Sequence, residues 1–270
     1  MSIEILHKDG HVLFADPSAR ELRHAVQHAL EQGRDLSGAL LDGISLKKLD
    51  LSDARFAGAI LTRADLTGCN IEDARFTDAD LTGARLDGSN LEDADFSGVK
   101  LADASLRGAN LEDVRFIEAD LARAVLDGSN LERVDLRGAQ LANARFSRVN
   151  LERACLEQVQ ADGAVFARAN LGRSSLRKAR LVNADLSGSE LARCDFYEAD
   201  LQGANLSRSS LARADLRRAD LSRANLSGAH LVRADLEGAN LEGANLDGAD
   251  LAKVRGNPAK PGTFVTGPYR

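Results

Sequence analysis

The residues of this chain that could do chemistry are five histidines, three cysteines and a dense population of aspartates and asparagines. His24 and His28 stand four apart on a predicted helix, which is the spacing of a two-histidine metal site. No third ligand stands near them in the sequence, so they read as a polar helix face, and His7 and His11 read as the flanks of a hairpin turn. Cys69, Cys155 and Cys194 lack metal-ligand spacing and read as free thiols of a reducing compartment. A carboxylate pair can be picked out almost anywhere, but none is set apart by its neighbours as an acid and a base in different environments. There is also no glycine-rich phosphate loop, nucleophile elbow or zinc motif. The sequence therefore assigns no catalytic, cofactor-binding or metal-ligating residue, and an enzyme is not expected.

The aspartates are numerous because of the element that carries them. From Leu36 to Leu251 an apolar residue recurs at every fifth position without insertion or deletion; 35 of these 44 centres are Leu, seven are Phe, one is Ile71 and one is Ala161. Two residues before each centre stands a small residue, usually Ala, as in Ala64-Asp65-Leu66-Thr67-Gly68. On an α-helix five residues turn through about 500°, so successive centres would step round the cylinder and form no stripe. In a flat strand, centres five apart would point to opposite faces. What remains is a chain that bends at every pentad, with the centre and the small residue inside and the other three residues outside.

A longer period closes the coil. Phe56, Phe76, Phe96 and Phe116 are spaced by 20, as are Asn70, Asn90, Asn110, Asn130, Asn150 and Asn170. A third column begins with Asp53, Asp73, Asp93 and Asp113 and continues as Arg133, Arg153, Arg173, Arg193, Arg213, Arg233 and Lys253. Four pentads per coil account for all three columns. On these motifs the chain resembles the pentapeptide-repeat family, whose Ala-(Asp/Asn)-Leu-x-x unit matches residues 36–255 nearly throughout. The resemblance implies an all-β solenoid, a right-handed quadrilateral β-helix, with Phe56, Phe76, Phe96, Phe116, Phe146, Phe166 and Phe196 in its core. Eleven coils at about 4.8 Å each give a rod roughly 50 Å long. Cys69 and Cys194 then replace inward alanines roughly 30 Å apart, too far to bridge.

Residues 1–35 break the period and read as an α/β cap on the first coil. Ile3–Leu6 and Val12–Phe14 flank Lys8-Asp9-Gly10, a hairpin signal. A helix is predicted over residues 17–32, with Asp16 as N-cap, Pro17 at its first position, Gly33 as its stop, and Leu22, Val26 and Leu30 on one face. Residues 256–270 form an extended tail that holds three of the four prolines. No apolar run approaches the length of a membrane span, and Met1–Leu6 lacks the basic leader of a signal peptide, so a cytoplasmic protein is expected. With 35 residues at one end and a short tail at the other, two assemblies are open: a homodimer through the C-terminal coils, or a monomer plugged by Phe264 and Val265.

Surface charge carries what functional information there is. From Glu72 to Asp120 there are 13 acidic and five basic residues, and Glu72, Asp73, Glu92, Asp93, Asp95, Glu112 and Asp113 form a candidate acidic surface. From Arg145 to Arg180 there are eight basic and three acidic residues, and Arg145, Arg148, Arg153, Arg168, Arg173, Arg177, Lys178 and Arg180 form a candidate partner surface, the alternative being a local imbalance in a drifting repeat. Most coils read as near neutral at the corner, because Asp53, Asp73 and Asp113 precede Arg55, Arg75 and Arg115, while Arg133, Arg193, Arg213 and Arg233 precede Asp135, Asp195, Asp215 and Asp235. Three coils break this: Asp93 precedes Asp95, Arg153 precedes Cys155 and Arg173 precedes Ser175. Two functions follow. The first is a non-enzymatic interaction or scaffold rod with an unidentified protein partner. The second, implied by the resemblance, is a DNA-mimicking binder that protects DNA gyrase or topoisomerase IV, a type II topoisomerase partner that the acidic coils suit and the basic coils oppose. Neither reading involves a membrane or direct nucleic-acid binding.

Overall fold

The computed structural model describes residues 2–256. Two antiparallel strands come first, β1 (Ile3–Leu6) and β2 (Val12–Asp16), with Ile3 opposite Asp16 and Ile5 opposite Phe14. Helix α1 follows over Leu22–Glu31 and buries Ala25, Val26 and Ala29. The hairpin is joined to the repeats by main-chain bonds from Lys8 N–H to the Gly38 carbonyl and from Leu40 N–H to the Leu6 carbonyl. Arg23 of the helix donates to the carbonyls of Ser45 and Lys47.

The helix starts later than the sequence predicts. Asp16 does not cap it: this residue ends β2, and its carboxylate accepts from Ser18 N–H, Ser18 Oγ–H and Ala19 N–H, which closes a turn before the helix begins. Glu21 takes the cap position without a side-chain bond. The stop is as read, since Gly33 is left-handed and the N–H groups of Gly33 and Arg34 reach the carbonyls of Leu30 and Ala29, the Schellman pattern.

The repeat is a solenoid whose bridges join one residue of each pentad to the residue 20 later, from Leu40–Ile60 to Asp235–Arg255. At the corners, turns are closed by bonds such as Ala54 N–H to the Leu51 carbonyl. The third residue of the turn has positive φ, 58° at Asp53 and 67° at Gly68, which is the demand of a type II turn and the reason that this position prefers Gly, Asp and Asn. Arginine fills it as well, at Arg133 and in every coil from there to Arg233. Between corners, N–H groups alternate between the coil before and the coil after: Leu51 donates to Asn70, and Asn70 to Leu49.

Outside, the residue before each centre is Asp or Asn so often because its Oδ1 accepts the N–H two residues on, as Asp65 does from Thr67 and Asp185 from Ser187. Its amide form also bonds to its neighbours in adjacent coils. Asn70, Asn90, Asn110, Asn130, Asn150 and Asn170 make an unbroken ladder of Nδ2–H to Oδ1 bonds, at 2.9 to 3.2 Å, from one coil to the next. Inside, Phe56, Phe76 and Phe96 stack at 5.0 and 4.8 Å between centroids, Phe116 continues the column with a tilted ring, and Phe146 stacks on Phe166 on the opposite side of the coil. These six rings and that of Phe196 are fully buried, and so is Ala161. The tail from residue 257 onward, with the Phe264 and Val265 plug, lies outside the described residues.

Candidate interaction surface

Every outward side chain of the solenoid belongs to a column 20 residues in period, so a surface site is a set of neighbouring columns. Of the acidic candidates, Glu72, Glu92 and Glu112 occupy the first corner position and Asp73, Asp93 and Asp113 the second, at one corner of successive coils. They share a single edge. Asp95 stands on the flat beside it, with Oδ1 taken by Ser97. Glu92 and Glu112 lean towards the asparagine ladder and accept from Asn110 and Asn130 at 3.2 Å.

The basic candidates are spread round the coil. Arg145, Arg148 and Arg168 border one shallow groove together with Asp127. Arg153 and Arg173 continue the acidic edge, Arg177 and Lys178 lie one corner on, and Arg180 stands on the next flat. Several are matched by carboxylates: Arg145 by Asp127 at 2.8 Å, Arg177 by Asp195 at 3.0 Å, Arg180 by Asp162 at 2.8 Å, and Lys178 by Glu198 at 3.9 Å. Among the described residues, Arg148, Arg168 and Arg173 make no ion pair, and Arg153 has only Glu152 at 3.9 Å.

Charge is balanced differently from the sequence reading. None of the corner pairs from Asp53–Arg55 to Arg233–Asp235 forms an ion pair among the described residues, because an inward residue stands between the two and their side chains diverge. Balance runs between coils instead, as in Arg123–Asp103 at 2.6 Å and Arg133–Asp113 at 2.6 Å, or across one centre, as in Arg137–Asp135 and Arg217–Asp215. Arg133 also reaches Glu112 and Glu132. The guanidinium of Arg217 holds the Asp215 carboxyl below its usual range.

Two groupings escaped the sequence reading. Tyr197 has the guanidinium groups of Arg177, Arg217 and Arg218 at 4.7, 5.6 and 5.7 Å from its ring centroid. Its signal was that it is the one tyrosine inside the array. At the hairpin tip His7 and His11 stack at 4.6 Å, and Nδ1 of each reaches Asp9 Oδ1, at 2.8 and 2.6 Å. These three groups could hold a metal ion, and the hydrogen bond from His7 draws the Asp9 carboxyl down to about 2. The alternate spacing His-x-Asp-x-His is present in the sequence, where its turn residues point to a hairpin alone. His24 and His28 do not combine: His28 bonds to Asp16 at 2.5 Å, and His24 lies 3.4 Å from Glu21. Cys69 and Cys194 are buried, and burial pushes the Cys194 thiol up to about 12.

A coil built from pentads with apolar centres defines the class, and the profile described as Pentapeptide repeats matches residues 35–73, 74–113, 189–228 and 219–255, with that described as Pentapeptide repeat region matching 129–206. The chain belongs to the pentapeptide-repeat family. Among solved structures it is similar to HetL, a pentapeptide repeat protein involved in heterocyst differentiation regulation in Nostoc sp. strain PCC 7120, with 31% identity over 86% of this chain and 95% of that one and a TM-score of 0.46. A pentapeptide repeat protein of the Arabidopsis thaliana thylakoid lumen gives 32% identity over 37% and 69%, at 0.36. QnrB1, a plasmid-mediated fluoroquinolone resistance protein, gives 19% over 77% and 89%, at 0.38. No curated protein matches the chain. No helix among the described residues is long and apolar enough to cross a membrane.

Proposed function

We propose that the chain is a non-enzymatic interaction rod: a right-handed quadrilateral β-helix of about eleven coils over residues 36–255, covered at its start by residues 1–35, that works in the cytoplasm by presenting ordered charge to a protein partner. One observation carries this reading. Along a single edge Asp53, Asp73, Asp93, Arg173, Arg193, Arg213 and Arg233 make no side-chain hydrogen bond or ion pair among the described residues, so charges placed once per coil are left for something outside the chain. The aspartates that precede the centres, such as Asp65 and Asp185, are engaged by the turns they close, which speaks for a structural and not a catalytic use of these carboxylates.

The test is capture of binding partners by the intact chain and by the triple variant Arg153→Glu, Arg168→Glu, Arg173→Glu. The variant folds as the parent does and loses any partner whose binding weakens with salt. Equal capture by both proteins would sink the reading.

A second reading, protection of DNA gyrase or topoisomerase IV by imitation of DNA, draws support from Glu72, Asp73, Glu92, Asp93, Glu112 and Asp113, which repeat once per coil on one edge. The arginines that follow on the same edge count against it. An effect of the purified chain on gyrase supercoiling would favour this reading.

A further inference from the structure

We infer that the partner of the charged edge is a second copy of this chain, lying alongside the first in the antiparallel direction, with the twofold axis at the coil of Arg133. This deepens the interaction-rod reading and rests on it.

The edge column is acidic before Arg133 and basic after it, and both halves have the same spacing because both are coils of one solenoid. A parallel neighbour would set Asp against Asp and Arg against Arg. A twofold axis perpendicular to the rod reverses the order and maps each column onto itself, so an acidic half meets a basic half over its whole length. With the axis at Arg133, Asp53 faces Arg213, Asp73 faces Arg193, Asp93 faces Arg173 and Asp113 faces Arg153. The first three aspartates and the arginines opposite them are among the edge residues left unpaired within the chain, Arg233 being another, and all six are exposed.

The neighbouring column agrees. Here Arg55 faces Asp215 and Arg75 faces Asp195, so the exchange of Asp-x-Arg for Arg-x-Asp along the sequence becomes two antiparallel rows of opposite charges. The three irregular coils fit as well. Asp95, which makes its coil doubly acidic, meets the coil of Arg173 and the neutral Ser175, and Arg115 meets Cys155.

Like charges meet on the axis itself, and they are the ones best satisfied at home. Arg133 is bonded to Glu112, Asp113 and Glu132, and Asp135 is bonded to Arg137. Beside the edge, Glu72 and Glu92 face Ala192 and Gly172, while Glu112 meets Glu152, each near an arginine of its own chain. Moving the register one coil towards the C-terminus sets Asp95 against Asp195 and Arg133 against Arg153. Moving it one coil the other way sets Asp113 against Arg133, which it already holds in its own chain.

The experiment uses the full chain in light scattering and small-angle scattering, with salt raised from about 0.1 M, where the Debye length is about 10 Å, to about 1 M, where it is about 3 Å. The wild type forms a dimer whose maximum dimension is close to that of one rod, and its dissociation constant rises at least about tenfold over that range. Two variants decide the assignment. Asp53→Arg, Asp73→Arg, Asp93→Arg leaves Asp113 as the one acidic residue of the column, and Arg173→Glu, Arg193→Glu, Arg213→Glu makes both halves acidic at the three facing positions outside Asp113 and Arg153. Each alone is monomeric with the circular dichroism of the parent, and an equimolar mixture dimerises. A wild type that stays monomeric in low salt overturns the inference. So does a dimer that either variant leaves intact, a mixture that stays monomeric, or a dimer about twice as long as one rod, which would mark end-to-end association. A monomeric wild type that still captures another protein in the test above overturns this inference alone and leaves the interaction rod standing.

Discussion

The coils before and after Arg133 are alike inside and opposite outside. Leu81 and Leu221 are both fully buried, with Ala79 and Ala219 packed two residues before them. At the corner, Asp73 and Arg213 adopt the same left-handed backbone, at φ 57° and 61°, with opposite charge. A fold that accepts either sign at one backbone position does not dictate that sign. The inward residues of this rod therefore specify the solenoid, and the outward residues are free to specify what the solenoid meets.

If so, an inward change should cost far more than an outward one. Phe96 stands in the middle of the ring column, 4.8 Å from Phe76 and 5.6 Å from Phe116 between centroids, and is fully buried. Phe96→Ala removes contacts on both sides at once and leaves a cavity that the coil spacing prevents from collapsing. Destabilisation by about 3–5 kcal/mol is expected in urea unfolding followed by circular dichroism. A loss under about 1 kcal/mol would mean that the column repacks and that the interior is less specific than its regularity suggests.

Most of the solenoid was legible in the sequence because its period is strict, and a five-residue repeat is incompatible with helix and flat strand alike. The site was legible only as composition. Counting charge between Arg145 and Arg180 gathers residues that the bridging register spreads over different sides of the coil, such as Arg168, Arg177 and Arg180. The column from Asp53 to Lys253 was visible in the same sequence. What the residues could not reveal was which neighbours a guanidinium chooses: Arg133 reaches back one coil to Asp113 and leaves Asp135, two residues away, to Arg137. The hairpin was read from its turn residues, whereas Asp16, followed by Pro17, has the pattern of a helix cap and is drawn away by Ser18 and His28.

Asp16 gives a test with a smaller effect, at a carboxylate whose place the fold itself sets. Asp16 is buried, and the hydrogen bond from Ser18, with those from His28 and Ala19, lowers its carboxyl from 3.8 to about 2. A depressed carboxyl contributes stability above its unfolded value and loses it as pH falls through the folded one. The contribution of Asp16 is therefore complete above about pH 4 and fades towards pH 2. Asp16→Asn should be less stable than the parent at neutral pH, with the gap closing between pH 4 and pH 2 in thermal melts. A gap independent of pH would mean that the carboxylate charge contributes nothing.

The smallest expected effect is the most discriminating, because its sign is the reverse of the usual one. Arg233 stands between Arg213 and Lys253 in a run of like charges separated by one coil, with no carboxylate bonded to any of the three among the described residues. Arg233→Asp places a carboxylate where Asp53 shows the same backbone to be acceptable, at φ 58° against 62°. It removes two repulsions and offers each neighbour the kind of contact that Arg133 makes with Asp113. The folding midpoint should therefore stay the same or rise, by about 0.2–1 kcal/mol at low salt, with the gain vanishing as salt is added. A loss of more than about 1 kcal/mol would show that the arginine column is a structural requirement of the coil, and would remove the distinction between an inside that folds and an outside that binds. A gain would mean that the chain keeps its arginines in a row at the expense of its own stability, as a surface held for a partner would require.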